Sequence, residues 1–377
     1  MTLNADILKE IEDSSQEALD LLITLGKIPA PSHQENKRAE FCKQWLEQQG
    51  AKGVYIDEAL NVVYPVGCTD SNPLVVFAAH TDVVFPDTEE LPMTIADGKI
   101  YCPGIGDDTM HVVALLMVAK YVTKHNLTPA NGGILFVANS CEEGLGNLKG
   151  VRKIAEDYGS RITEFVTFDG PGTNIVNRAV GSKRYKIEID TEGGHSYGKF
   201  GNRNAIVYLA SLIDALYAMK VPTRGKTTYN VGTISGGTSV NTIAQHAEML
   251  YEFRSDDRED LAEMEAHLDA ALNFYRTKGI QVTCTLMGDR PCGSAVDQEK
   301  HNNLIARAAA AMEAYRGITP KLSAGSTDCN IPLSMGIPSI MVPCGKGQGV
   351  HTREEYIEID SQVPGLKVAF ELVLYHM

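Results

Sequence analysis

No apolar run in this 377-residue chain approaches the ~18 residues a membrane span needs, so no spanning helix is expected. Positive charge is also in short supply: 34 Lys and Arg stand against 48 Asp and Glu, a formal net charge of -14. That balance argues against a nucleic-acid backbone or an anionic membrane surface as partner. The eight cysteines (42, 68, 102, 141, 284, 292, 329, 344) form no Cys-x-x-Cys and no regular spacing. A zinc ribbon or disulfide framework is therefore not expected, and reduced, mostly buried thiols are. The first 25 residues are charged throughout (Asp6, Lys9, Glu10, Glu12, Asp13) and lack an apolar core with a cleavage site, so the compartment expected is the cytoplasm.

What is present is an alternation of apolar strands and amphipathic helices, too long for one core, which predicts an α/β fold in two domains. Apolar positions at helical spacing predict a helix over 4–26, ended by Ile28-Pro29-Ala30-Pro31, and a second over 35–50. Short strands are expected at 53–57 and 61–66, and buried strands at 73–84, 132–140 and 164–170 with a helix at 112–121. From Lys183 the pattern becomes strand, helix, strand, strand, helix, strand, the order of a ferredoxin-like α+β sandwich. After Gly293 buried α/β patterning returns: a helix at 300–315, a Gly/Ser-rich loop at 324–328, a strand at 338–343 and a closing helix from about 361. The expected division is a discontinuous domain of 1–181 and 291–377, split by an insert at 182–290.

The chemistry-bearing residues fall at strand ends and in Gly-rich loops. The apolar run from Leu74 delivers His80 and Asp82, and a carboxylate beside an imidazole can fix its tautomer. Cys102-Pro-Gly-Ile-Gly-Asp-Asp brings Asp107 and Asp108 to the start of a helix, where an acid also serves as a simple cap. Glu142 and Glu143 follow the strand from Gly132, and because successive side chains of an extended segment point opposite ways, one could bind a metal while the other moves protons. Alone, that pair reads first as a solvated acidic turn. Asp169 ends another strand, and His351 lies in a Gly-rich segment. Two imidazoles and several carboxylates suffice for a pair of divalent cations. Such a pair, ~3.5–4 Å apart, holds a bridging water as nucleophile and polarises a carbonyl, which is amide hydrolysis.

Taken in order, His80-Thr-Asp82, Cys102-Pro-Gly-Ile-Gly-Asp-Asp108, Glu142-Glu-Gly144, Asp169-Gly170, Gly193-Gly-His-Ser196, Gly236-Gly-Thr-Ser-Val-Asn241 and His351-Thr352 resemble the M20 family of metallopeptidases over nearly the whole chain. That family includes carboxypeptidase G2-like enzymes and peptidase T-like aminopeptidases. The resemblance implies a mixed-sheet α/β zinc-exopeptidase domain with an inserted lid and dimerisation domain. It further implies that His80 and Asp169 bind one zinc, Glu143 and His351 the other, and that Asp107 bridges them. Asp82 would orient His80, and Glu142 would be the general base. His195, from the insert, would stabilise the oxyanion in the partner subunit's site. Asn241, Arg254 and the loop from Gly325 to Asp328 would hold substrate, although a structural salt bridge suits Arg254 nearly as well. Thr109 stands where relatives commonly carry Lys, and Cys141 where they often carry Asp. The expected activity is a dizinc, peptidase T-like aminopeptidase acting on short peptides, with cobalt or manganese able to replace zinc. The alternatives are an N-acyl amino acid deacylase or carboxypeptidase on the same centre, and a non-catalytic binding protein. Nucleic acid and membrane are not expected partners.

Overall fold

Strand Leu74–His80 is buried along its whole length, with no exposed face. An apolar run of this kind belongs inside a sheet covered on both sides. Gly133–Asn139, equally buried, and Ile162–Phe168 flank it, both parallel to it. The computed structural model describes residues 3–377, and its largest sheet has eight strands. Their order is Tyr55–Ile56, Val62–Val66, Gly133–Asn139, Leu74–His80, Ile162–Phe168, Ser339–Val342, Ile175–Ala179 and Leu322–Gly325. The four central strands are parallel, while antiparallel pairs join Val62–Val66 and Ile175–Ala179 to them, so the sheet is mixed. Phe77 stacks between Phe136 and Phe168 with ring centroids 6.4 and 6.1 Å away, locking the three strands at one level. The parallel strands therefore finish at a common edge, where His80 pairs with Asn139 and Val342 with Phe168. That edge is where an open α/β sheet gathers its ligands.

Met110–Lys124 is buried on nearly every side, which suits its almost continuous apolar sequence, and it packs with Ser15–Lys27, Asn36–Gln48 and Gln362–Leu374. The single helix expected over 4–26 is two, Ala5–Asp13 and Ser15–Lys27. At the join the Ser14 hydroxyl donates back to the Ile11 carbonyl at 2.9 Å, a local bond that competes with helix propagation. A helix at Lys149–Tyr158, with Gly150, Val151 and Ile154 buried, was not among the expected elements. Part of the Gly/Ser-rich segment expected as a loop is the edge strand Leu322–Gly325. A small antiparallel sheet, Gly347–Gln348, Tyr356–Glu358, Lys99–Tyr101 and Thr94–Ala96, was not visible in the sequence either.

The chain forms two compact units, one running to Arg178 and resuming over Ala295–Met377, the other Ala179–Ser294. The second has a four-stranded antiparallel sheet in the order Thr227–Gly236, His246–Ser255, Gly181–Asp190, Gln281–Arg290. Helices Ala205–Tyr217 and Arg258–Thr277 cover it, and Ile187, Ile189, Leu209, Leu212, Phe253 and Leu268 fill a core of its own. Among the described residues no helix is long and apolar enough to cross a membrane.

Candidate metal centre

His80 ends its strand wholly buried, with Nδ1 3.1 Å from the Asp82 carbonyl oxygen and 3.5 Å from Asp82 Oδ1. An Nδ1 proton shared with those oxygens turns Nε2 outward as an electron-pair donor. The Asp82 carboxylate also accepts from the Glu142 and Glu143 amides, at 2.9 Å each, and from the Ser32 hydroxyl at 2.7 Å. One buried acid thus fixes both the imidazole and the backbone of the glutamate pair. Cys141, just before that pair, adopts a left-handed φ of 57°. It is held there by Glu35, whose Oε1 accepts from the Cys141 amide at 3.0 Å and from its thiol at 3.1 Å. Both glutamates are buried, at 6 and 5 % exposure, so the solvated-turn reading does not describe them.

Asp107 lies in the loop between strand Lys99–Tyr101 and helix Met110–Lys124, and the Asp107–Asp108 peptide is cis. The loop opens on Gly104 at φ 73°, where a Cβ would come within 2.3 Å of Val83. Asp107 Oδ1 is 3.0 Å from His80 Nε2, and Oδ2 is 3.2 Å from His351 Nε2. His351 Nε2 is also 3.0 Å from Glu143 Oε1, and Asp169 Oδ1 is 3.7 Å from His80 Nε2. The five residues expected to bind metal therefore converge, with Asp107 facing both histidines.

Burial opposes the Asp107 charge, but hydrogen bonds from His351 and His80 outweigh it and hold its carboxyl well below the usual range. Burial raises the carboxyls of Glu143 and Asp169. The His351 imidazole, between Asp107 and Glu143, is pushed up to about 10. His80 is raised well above its ordinary value, because Asp108, Asp107 and the other acids overcome burial. The site demands positive charge. Among the described residues, the two histidines are the only cationic side chains within ion-pair distance of Asp82, Asp107, Glu143 and Asp169. Two carboxylates 4 Å apart repel by about 4 kcal/mol at an effective dielectric constant of 20. Divalent cations remove that cost, and imidazole with carboxylate is a donor set that suits zinc and its neighbours. The residues present fit a metal-binding cluster, with His80, Asp107 and Glu143 as one group and His80, Asp108 and Asp169 as another.

Several residues of this region had no individual role in the sequence reading. Asp108 is buried, accepts from the His80 amide at 2.9 Å and lies 2.6 Å from His111 Nδ1. His111 Nε2 accepts from the Cys344 amide, which leaves its proton on Nδ1, and burial drives its imidazole down to about 3. Asp108 and His111 are one helical turn apart, a spacing legible in principle. Asp328 accepts from Asn139 at 2.8 Å, and burial pushes its carboxyl up to about 7. Gly325 ends the strand leading to it. Arg38, fully buried, donates to the Thr81 carbonyl between His80 and Asp82, and burial lowers its guanidinium to about 10. Glu355 accepts from three amides of the Asp107 loop, and burial pushes its carboxyl up to about 7.

The remaining candidates lie in the second unit. His195 is exposed, and its Nδ1 accepts from the Tyr197 and Gly198 amides at 3.3 Å, so the proton sits on Nε2. Asn241 is beside it, because Ser196 donates to the Asn241 carbonyl and His195 pairs with Thr242. Arg254 directs Nε and Nη2 at the two oxygens of Glu252, 3.1 Å each, which is the salt-bridge arrangement.

Residues 76–375 match the profile of peptidase family M20/M25/M40. A succinyl-diaminopimelate desuccinylase of Psychrobacter arcticus is 27% identical over 293 residues, covering 69% of this chain and 70% of that protein. The crystal structure of aminopeptidase PepT from Bacillus cereus superposes with a TM-score of 0.74 at 21% identity, over 95% of this chain and 98% of that one. A dinuclear metal-binding M20 peptidase, YXEP of Bacillus subtilis, gives a TM-score of 0.66 at 16% identity over 97% and 99% of the two chains. With a family profile spanning most of its length and a cluster of imidazoles and carboxylates at the sheet edge, this chain belongs to peptidase family M20/M25/M40 and is a metal-dependent hydrolase.

Proposed function

We propose that the protein is a two-metal exopeptidase acting on short peptides, of aminopeptidase type. The observation that carries the reading is Asp107, whose two oxygens face His80 and His351 separately at 3.0 and 3.2 Å, as a bridging carboxylate must. In this reading His80 and Asp169 hold one zinc and Glu143 and His351 the other. Bound there, two divalent cations supply Lewis acidity to the scissile carbonyl and acidify the attacking water. Asp82 keeps the His80 Nδ1 proton directed away from the metal side. Glu142, its backbone fixed by Asp82, takes a proton from the attacking water and passes it to the leaving amine. His195, with Nδ1 occupied by backbone donors, has an Nε2–H to offer the carbonyl oxygen as it becomes an oxyanion. Asn241 and the loop after Gly325 position the substrate, and Arg254 joins them only by giving up its two bonds to Glu252.

A homodimer through the second unit belongs to this proposal. Ile206, Val207 and Tyr217 on helix Ala205–Tyr217 and Ile234 on the edge strand Thr227–Gly236 are exposed apolar side chains on two adjoining elements. An unpaired strand edge beside an apolar helix face is the kind of surface a second copy covers. His195 would then serve the partner's site, and the cytoplasm remains the proposed compartment.

The desuccinylase relative supports a second reading, an N-acyl amino acid deacylase, since both reactions break an amide. Assay of the zinc-loaded protein against tripeptides, N-acetyl and N-succinyl amino acids separates the two. Turnover of tripeptides is expected, and turnover of acylated amino acids alone overturns the peptidase reading.

A further inference from the structure

We infer that Glu355 is a positioning residue for Asp107, setting the direction of the carboxylate that faces both histidines. The inference rests on the proposed reading of Asp107 as a bridging ligand. The segment Pro103-Gly104-Ile105-Gly106 is rich in glycine, and such a backbone leaves Asp107 many conformations unless something restrains it. Glu355 supplies the restraint. Its side chain is buried, with Oε2 accepting from the Gly104 amide at 2.7 Å and Oε1 accepting from the Gly106 and Asp107 amides at 2.8 and 2.9 Å. One of the three donors is the amide of Asp107 itself. The Asp107 backbone, at φ -124° and ψ 85°, lies outside the helical region, so this carboxylate stands in for the ladder a helix would provide.

The restraint also couples the two halves of the centre. Glu355 follows His351 by four residues, and the Glu355 carbonyl accepts from the Cys102 amide at 3.0 Å. The next residue, Tyr356, pairs with Tyr101, so the small antiparallel sheet sets the His351 segment against the Asp107 loop. One segment thereby presents the imidazole that faces Asp107 Oδ2 and clamps the amide of Asp107. A carboxylate suits this position because both its oxygens only accept, whereas Gln at 355 would turn an NH2 group against at least one of the three N–H donors. Space is tight as well: a Cβ on Gly106 would approach Glu355 Oε1 to 3.2 Å.

The test is zinc affinity of metal-free protein, by competition against a chromophoric chelator, for wild type, Glu355→Gln and Asp107→Asn. Folding of each is checked by a cooperative circular-dichroism melt, and kcat and KM are read at saturating zinc. Glu355→Gln is expected to fold and to lose ~10–100-fold in zinc affinity, the usual effect of removing a group that orients a ligand. Its kcat is expected to fall with KM little changed. Asp107→Asn is expected to abolish binding of at least one zinc. If Asp107→Asn leaves both affinities intact, the bridging reading fails. If Asp107→Asn weakens binding while folded Glu355→Gln stays within twofold of wild type, the positioning role fails and the bridging reading stands. Should Glu355→Gln not fold, Glu355→Asp, which keeps the charge but withdraws it by one methylene, is read by the same criteria. Failure of both to fold overturns the inference, since Glu355 would then be a prop of the fold.

Discussion

Asp107 divides its two oxygens between two histidines, and Asp82 divides its own between two consecutive amides, those of Glu142 and Glu143. The adjacency of the two glutamates was plain in the sequence, and so was the pairing of His80 with Asp82. What was not plain is that Asp82 braces the glutamates' backbone as well as the imidazole, because a carboxylate that binds main-chain N–H groups needs no particular residue type or spacing in its partner. Glu35 and Glu355 escaped notice for that reason, and Ser32 because its hydroxyl meets an acid remote in the chain. Each meets the centre through one or a few hydrogen bonds with residues remote in the chain. At this scale the sharpest expectation concerns Glu142. Glu142→Gln preserves shape and removes the proton acceptor, so kcat should fall by ~10²–10⁴. Zinc content by elemental analysis should match wild type, which separates a base from a ligand. Wild-type kcat in this variant would remove Glu142 from the reaction.

Between elements, the strands were legible because burial on both faces forces unbroken apolar runs, as in Leu74–His80 and Gly133–Asn139. The two- and three-residue strands of the small sheet were not, since each buries too few side chains to impose a period on the sequence, and helix Lys149–Tyr158 was missed although Val151, Ile154, Ala155 and Tyr158 fall at helical spacing. One polar contact between elements makes a pH-dependent contribution. Glu164, on strand Ile162–Phe168, accepts from Arg307 on helix Gln298–Arg316 and from His376 Nε2 at 3.1 Å. Burial opposes its charge, but the hydrogen bond from His376 and the charge of Arg307 hold its carboxyl below the ordinary 4.5. A depressed carboxyl stabilises the fold above its unfolded pKa, and that contribution is lost as pH falls through the folded value. Glu164→Gln should therefore cost about 2–3 kcal/mol at pH 7 in urea unfolding, with the gap to wild type closing below about pH 4. An equal gap at pH 7 and at about pH 2.5 would show that the charge is not what matters there.

For the molecule as a whole, carboxylates gathered with no Lys or Arg of the described residues within ion-pair distance make folding sensitive to bound cations. Dialysis against a chelator should lower the melting temperature, and added zinc should restore it. At a thousandfold excess over Kd, one bound ion contributes about 4 kcal/mol, or roughly 10 °C for a unit of this size. A melting curve indifferent to chelator would argue that the cluster takes no metal. The ordered motifs and the apolar periods by themselves determined the α/β class, the ferredoxin-like order of the second unit and the residue types of the centre, because hydrophobic period and strand-end placement are local properties of a chain. Only the tertiary structure decided that His80, Asp107, Glu143, Asp169 and His351 meet, and how. Residues separated by tens to hundreds of positions are brought together by parallel strands ending at one edge and by the pairing of Tyr356 with Tyr101. That convergence is set by the packing of the whole sheet, which no spacing in the sequence records, and it turns the pair of acids at Glu142 and Glu143 from a charged turn into two buried acids, one of them beside His351.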